Sequence, residues 1–374
     1  MLKEVDNAKP FTLQAKVTPE FTKERLYNAA DLFVYANDTL WQKLAFEQDE
    51  FGNHRVVSVR TNGTSDDNNH DKQIVTSLYL KISSDTRTIA SYYSLDKKEW
   101  HMVRLYKNDY PSKLYASDGE IYYITSLFLA AERWNVPRYS EEANRMLEKI
   151  MNKDGMRTGV YNLFNRDNKL VTFVPDKIGR KFTDPSYQLP AFLDFWAESA
   201  RREKSFWKKA AKAARNHLMQ SCNPVTGLYP DYSNYDGTSY KWLLASYDTS
   251  LYMYDAIRCA MNVGMDYYLY GRDKKRQEEA MARLLRFFES NQWQHGHFSC
   301  DGKESFGHYS CGMIGANAVA AFALLSSSRE NRKLAKKYVQ RLWFTKPPVG
   351  KYRYYEGLVY YLSMLHVAGK FKLK

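Results

Sequence analysis

The chain of 374 residues has only four cysteines, Cys222, Cys259, Cys300 and Cys311, all in its second half. So sparse a set, scattered in a long chain, argues for reduced thiols over a disulfide framework. No apolar run reaches the roughly 18 residues that a membrane span requires. The opening Met-Leu-Lys-Glu-Val-Asp-Asn-Ala-Lys-Pro lacks the apolar centre of a secretory leader, which predicts a cytoplasmic protein. Without secretion, the acceptor-like triplets Asn37-Asp-Thr and Asn62-Gly-Thr carry no weight. A glycine-rich phosphate loop and a Gly-x-Ser-x-Gly elbow are both missing. Potential N and S ligands in His295-Gly-His-Phe-Ser-Cys300 and His308-Tyr-Ser-Cys311 follow no established zinc spacing. No metal and no cofactor are expected.

What is present is charge and aromaticity. The formal net charge is +13, and Lys and Arg cluster at Arg201-Arg202, Lys208-Lys209, Arg272 to Arg276 and Lys333 to Lys337. Most of them alternate with Ala, Glu or Leu at helical spacing, as on a solvated outer face, and no nucleic-acid motif accompanies them. Aromatic residues make up 15% of the chain, with 30 Tyr and 8 Trp. Their flat apolar faces and polar edges suit cores and sugar-binding clefts alike.

Up to about residue 113 the pattern is weak. Tyr27 to Leu44 has helical character, Val56 to Arg60 and Ile74 to Ile82 fit strands or short helices, and Thr61 to Asp71 reads as a loop. From Ala116 onward, helix alternates with loop in about nine segments, with no strand pattern and no close repeat. The expected fold class is all-α, in one domain over 1–374 whose first 113 residues are irregular or degenerate.

Two helix entrances draw attention to carboxylates. Asp118 and Glu120 open the run Ala116 to Trp134, whose Tyr123, Leu127, Ala130, Ala131 and Trp134 form an apolar stripe. Ser117 with Glu120 also satisfies a capping box, and Asp118 complements the helix dipole, so these acids have a purely structural explanation. Asp255, Arg258 and Asn262 share one face of an otherwise apolar segment, and an Asp255–Arg258 intrahelical pair is the plain reading there. The loops Phe182-Thr-Asp-Pro-Ser-Tyr-Gln-Leu-Pro and Tyr232-Ser-Asn-Tyr-Asp-Gly-Thr mix acids with tyrosine, as sugar sites and ordinary turns both do.

Several segments, taken in order, resemble glycoside hydrolase family 8, and within it the reducing-end xylose-releasing exo-oligoxylanases. They are Ala-Ser-Asp-Gly-Glu to Ala-Ala-Glu-Arg-Trp (116–134), Phe164-Asn-Arg-Asp-Asn-Lys-Leu, Thr183-Asp-Pro-Ser-Tyr-Gln-Leu-Pro, Phe206-Trp-Lys-Lys-Ala-Ala, Tyr235-Asp-Gly-Thr, Tyr254-Asp-Ala-Ile-Arg, Gly312-Met-Ile-Gly-Ala-Asn-Ala and Tyr354-Tyr-Glu-Gly-Leu. The resemblance implies an (α/α)6 barrel of six helix pairs that hydrolyses β-1,4-linked xylo-oligosaccharides with inversion, as a monomer. It places Asp255 at the general base and Asp118 at the acid that contacts the sugar. Glu120, Tyr187, Tyr235, Trp242, Arg258 and Tyr309 become candidate substrate-binding residues, with Tyr309 where the exo-acting members carry a histidine. The general acid of the family is a Glu in an N-terminal Val-Arg-Thr-Glu-Gly segment. Here the matching stretch is Val59-Arg-Thr-Asn-Gly, with Asn62 at that position. An amide has no proton to give at neutral pH, which leaves a carbohydrate-binding pseudoenzyme as the alternative.

Overall fold

Along Ala29–Asn37, Leu32 and Val34 point inward while Phe33 and Tyr35 face out, the period of two of a strand with one buried face. The computed structural model describes residues 5, 7, 9–108, 117–153, 155, 160–243, 245–350 and 353–373. It divides into two units, 1–114 and 115–374. The first is built of strands: β1 Phe11–Val17, β2 Ala29–Asn37, β3 Leu40–Gln48, β4 His54–Asn62, β5 Thr64–Lys72, β6 Leu78–Ser84, β7 Thr88–Ser94 and β8 His101–Lys107. They form two antiparallel four-stranded sheets, in the orders β1-β6-β7-β8 and β2-β3-β4-β5. Val17, Leu78, Leu80, Ile82 and Ile89 of one sheet share a core with Leu32, Leu44, Phe46 and Val56 of the other.

These sheets overturn the all-α expectation and the reading of an irregular N-terminal third. Tyr27 to Leu44 is not a helix but a hairpin, its turn fixed by Asn37 Oδ1 accepting the Thr39 N–H at 2.9 Å. The supposed loop at Thr61 to Asp71 is largely β5, Thr-Ser-Asp-Asp-Asn-Asn-His-Asp-Lys, an edge strand exposed along most of its length. With no buried face it shows no hydrophobic alternation, and only its ladder to β4 defines it. Gly63 turns between the two strands at φ +75°, a conformation open to glycine at little cost.

The second unit is helical: α1 Ser117–Trp134, α2 Pro137–Met151, α3 Pro190–Ser199, α4 Lys204–Gln220, α5 Ile257–Leu269, α6 Lys274–Ser290, α7 Cys311–Ala320, α8 Arg329–Phe344 and α9 Tyr355–Val367. Helices α1 and α2, α3 and α4, α5 and α6, and α7 and α8 pack as successive pairs, while α1, α3, α5, α7 and α9 follow one another side by side. Among the described residues this is four pairs and a ninth helix. A short hairpin of β9 His297–Phe298 and β10 Ser305–Phe306 interrupts the helices.

The buried side of α1 is Ile121, Ile124, Thr125, Leu127 and Phe128, whereas Tyr123 and Trp134 are exposed. Apolar residues occupy more than one side of this helix, so spacing alone does not choose the face. Ser117 Oγ donates to the Phe173 carbonyl at 2.9 Å and does not form the expected capping box. Helices α5 and α7 approach closely at Gly264, where an added Cβ would lie 2.2 Å from the Val319 carbonyl oxygen.

Candidate active site

The backbone entering α5 carries the first acid. Tyr254 to Ala256 form a 3-10 turn, and Tyr254 sits at φ +36°, a strained value for a bulky side chain. Asp231 holds this turn from below: its Oδ1 accepts the backbone N–H of Asp255 at 3.0 Å and of Ala256 at 3.2 Å. The other Asp231 oxygen accepts from the Tyr247 hydroxyl at 2.6 Å. Asp255 is thereby fixed at the helix entrance with its carboxylate 30% exposed.

One guanidinium joins both candidate acids. Arg258 Nη2 lies 3.0 Å from Asp255 Oδ2, the expected i,i+3 pair, and Nη1 lies 2.6 Å from Asp118 Oδ2 at the start of α1. Asp118 and Asp255 are far apart in sequence, so tertiary packing alone brings them to one cation. The Arg258 side chain is 11% exposed and that of Asp118 17%, so the cation is buried beneath carboxylates that reach the surface. Tyr355 at the start of α9 donates to Asp255 Oδ1 at 2.7 Å. Asn262, one turn deeper, donates to the carbonyls of Ser186 and Gln188 at 2.7 and 3.2 Å, tying α5 to the Asp184–Gln188 turn.

A fourth carboxyl, Asp184, is fully buried in that turn. Its Oδ1 accepts the Ser186 N–H at 2.7 Å, and its Oδ2 has no hydrogen-bond partner. Burial raises the Asp184 pKa well above the carboxylate range, the charges of Asp255 and Asp231 adding to the rise and Arg258 opposing it. Asp231 follows the same rule. Burial pushes its carboxyl up to about 7 with help from the Asp255 charge, against hydrogen bonds from Tyr247 and the backbone.

The folded protein therefore holds a proton on Asp231 between about pH 4 and pH 7, where the unfolded chain has released it. Through Asp231 stability falls as pH rises across that window, while His217 and His366, each pushed down to about 4 by burial, contribute in the opposite sense. Asp231→Asn keeps an oxygen for the two backbone N–H groups but has no proton to release. Urea unfolding at pH 4.5, 6 and 7.5 is expected to show the variant gaining stability relative to wild type as pH rises, the contributions of Asp184 and the two histidines being common to both. An unchanged slope would mean that Asp231 is ionised in the folded state.

The aromatic candidates divide. Tyr187 is buried beside the acids, its ring 5.6 Å from the Arg258 guanidinium. Phe173 meets both Tyr187 and Trp242, with centroids at 5.9 and 5.6 Å, and Trp242 also contacts Phe182 and Tyr232. The Trp242 Nε1 is buried without a partner. Tyr235 donates to the Arg180 carbonyl at 2.7 Å. Tyr309 packs in the core against Phe288, with its hydroxyl accepting from Asn317 at 2.7 Å. Glu120 is half-buried on the first turn of α1 and has no hydrogen bond or ion pair with the described residues. Asn62 ends β4 in the sheet unit and is exposed. Among the described residues no three His, Cys, Asp or Glu side chains converge as metal ligands, and no helix is long and apolar enough to cross a membrane.

Comparison with known proteins assigns the helical unit. Residues 78–364 match the model of glycosyl hydrolases family 8. The chain belongs to that family. Residues 1–116 match the model described as "Protein of unknown function (DUF1349)", and the stretch shared by the two matches contains β6 to β8. A reducing end xylose-releasing exo-oligoxylanase of Halalkalibacterium halodurans is 32% identical over 266 residues, 69% of this chain and 65% of the relative. A second such enzyme, from Paenibacillus barcinonensis, is 31% identical over 263 residues, 69% of this chain and 67% of its own length. The chain thus spans about two thirds of the length of the curated relatives it matches. Among solved structures, a family 8 xylobiose complex from Teredinibacter turnerae superposes with a TM-score of 0.64 at 34% identity, covering 73% of this chain and 71% of that one.

Asp184, Asp231, Tyr247 and Tyr355 were not singled out by sequence reasoning. Asp184 stands in Asp-Pro-Ser and Asp231 in Pro-Asp-Tyr, and turns use such residues for backbone reasons alone. The sequence signals for Asp184 are its loop of acids and tyrosine and its place in a segment that carries the family resemblance, and for Tyr355 the resemblance alone.

Proposed function

We propose that the helical unit binds β-1,4-linked xylo-oligosaccharides and hydrolyses them with inversion, releasing xylose from the reducing end, as a monomer. The observation that carries this reading is the convergence of Asp118 and Asp255 on Arg258. Asp255 is the general base that takes a proton from the attacking water. Its ion pair with Arg258 and the hydrogen bond from Tyr355 leave part of the carboxylate exposed to receive that proton. Asp118, held on the same cation, contacts the sugar at the cleavage point. Half-buried Trp242 offers ring surface to the sugars, and buried Tyr187 packs beside Arg258 and the acids. The relatives named above supply the substrate class.

A second reading is oligosaccharide binding without turnover, for want of a group that protonates the leaving oxygen: Asn62 cannot supply that proton, and it stands on β4, outside the residues that match family 8. Incubation with xylotriose and xylohexaose, read by chromatography, separates the two. Xylose release is the expected outcome. Affinity by calorimetry with no product supports the binding-only protein. Neither binding nor product would sink both readings.

A further inference from the structure

The β2-β3-β4-β5 sheet turns Leu32, Leu44, Phe46 and Val56 into the shared core, and on its other face Ala45, Val57 and Thr61 are buried while the end nearest the β2–β3 turn stays open. On the opposite face of β2 and β3, Phe33 and Tyr35 are 48% and 57% exposed, and Trp41 is half-buried beside them. The rings are close to parallel: Phe33 and Trp41 have centroids 5.2 Å apart at 19°, Phe33 and Tyr35 6.3 Å apart at 29°. Tyr35 pairs across the ladder with Trp41, and Phe33 pairs with Lys43. Continuing across β4, the same rows end on β5 at Ser65 and Asp67, both exposed. Three aligned aromatic rings therefore border a surface bearing hydroxyl, carboxylate and ammonium groups.

Exposing such rings has a cost that the fold does not recover, since the shared core lies on the other side of the sheet. We propose that this strip is a second carbohydrate-binding site, which takes a β-1,4-linked pyranose chain. The C–H faces of the sugar rings would pack on Tyr35, Phe33 and Trp41. Their equatorial hydroxyls would meet the polar groups of the neighbouring strands, because Tyr and Trp combine an apolar face with a polar edge. A protein partner would call for a broader apolar patch, and here polar and charged residues border the rings within one or two strands. That the occupant is a glycan rests on the family 8 reading of the helical unit. The site itself is independent of turnover there.

The test uses the full chain carrying Asp255→Ala, so that the support is not digested, and measures retention on insoluble xylan and on cellulose. Adding Phe33→Ala and Tyr35→Ala, both exposed and hence tolerable to the fold, is expected to weaken retention about tenfold. Phe33→Tyr is expected to preserve it. In the chain with Asp255 intact, the same double alanine change should leave xylotriose turnover within about twofold. Retention on cellulose but not xylan, or the reverse, names the glycan within the proposed class. Retention unaffected by the double change overturns the proposal. So does a change confined to sedimentation behaviour, which would mark the strip as a contact between copies. If xylotriose is not hydrolysed while strip-dependent retention persists, the proposed function fails and the binding site stands.

Discussion

Asp255→Asn is expected to lower xylotriose turnover by about 10²–10⁴-fold, the usual range for loss of a general base, with a much smaller change in KM. The amide keeps the shape of the carboxylate, so the Tyr355 hydroxyl retains an acceptor and the turn held by Asp231 retains its backbone bonds. What disappears is the site that takes the proton from water and one of the two carboxylates facing Arg258. A kcat loss with preserved oligosaccharide affinity points to chemistry, whereas parallel loss of affinity would point to a collapsed cleft. Asp118→Asn should divide differently. Asp118 is read as a sugar contact, so KM as well as kcat should suffer. Turnover of Asp255→Asn at the wild-type rate would remove Asp255 from the mechanism.

Arg215→Ala is expected to destabilise the helical unit by about 3–5 kcal/mol, the range for stripping one partner from a buried ion pair. Arg215 on α4 donates through Nε to Asp266 Oδ2 at 2.7 Å and through Nη2 to Asp194. Gln277 and Arg272 complete the cluster, at 2.7 Å from Asp266 and 3.1 Å from Asp194. Asp266 has no exposed side-chain surface, Asp194 has 4% and Arg215 has 6%. Burial pushes the Asp266 carboxyl up, against the bonds from Arg215 and Gln277. Without Arg215, Asp266 and Asp194 face each other with only Arg272 and Gln277 left. The cluster ties α3, α4, α5 and α6 together about 16 Å along α5 from Asp255. Urea unfolding followed by tryptophan fluorescence measures the loss, and a midpoint shift worth less than about 1 kcal/mol would show that the charges are solvated despite their burial.

The helical unit was legible because its signals are local. Apolar periodicity and the loop residues that interrupt it lie within a dozen residues of each other. The sheet unit was illegible for the opposite reason. Strand β5 has no hydrophobic face, and β1 finds its partner β6 only after four other strands have intervened. Pairing at that distance leaves little local pattern to read. On α1 the composition was read correctly and the face was not, because Tyr123 and Ile124 are equally apolar to a periodicity count while only Ile124 is buried.

By itself, the sequence determined the helix series, the family, and the presence of Asp118, Asp255 and Arg258 as candidate residues. Helical spacing and residue type are properties of neighbouring positions, and they survive without knowledge of the fold. Tertiary structure decided which of these charges meet. Arg258 could have been satisfied by Asp255 alone, one turn away, and only the packing of α1 near α5 gives it Asp118 as well. The same packing buries Asp184 and Asp231 beside Asp255, where desolvation raises their proton affinity. Burial and long-range charge depend on every element around a site, so no stretch of the chain could announce them in advance.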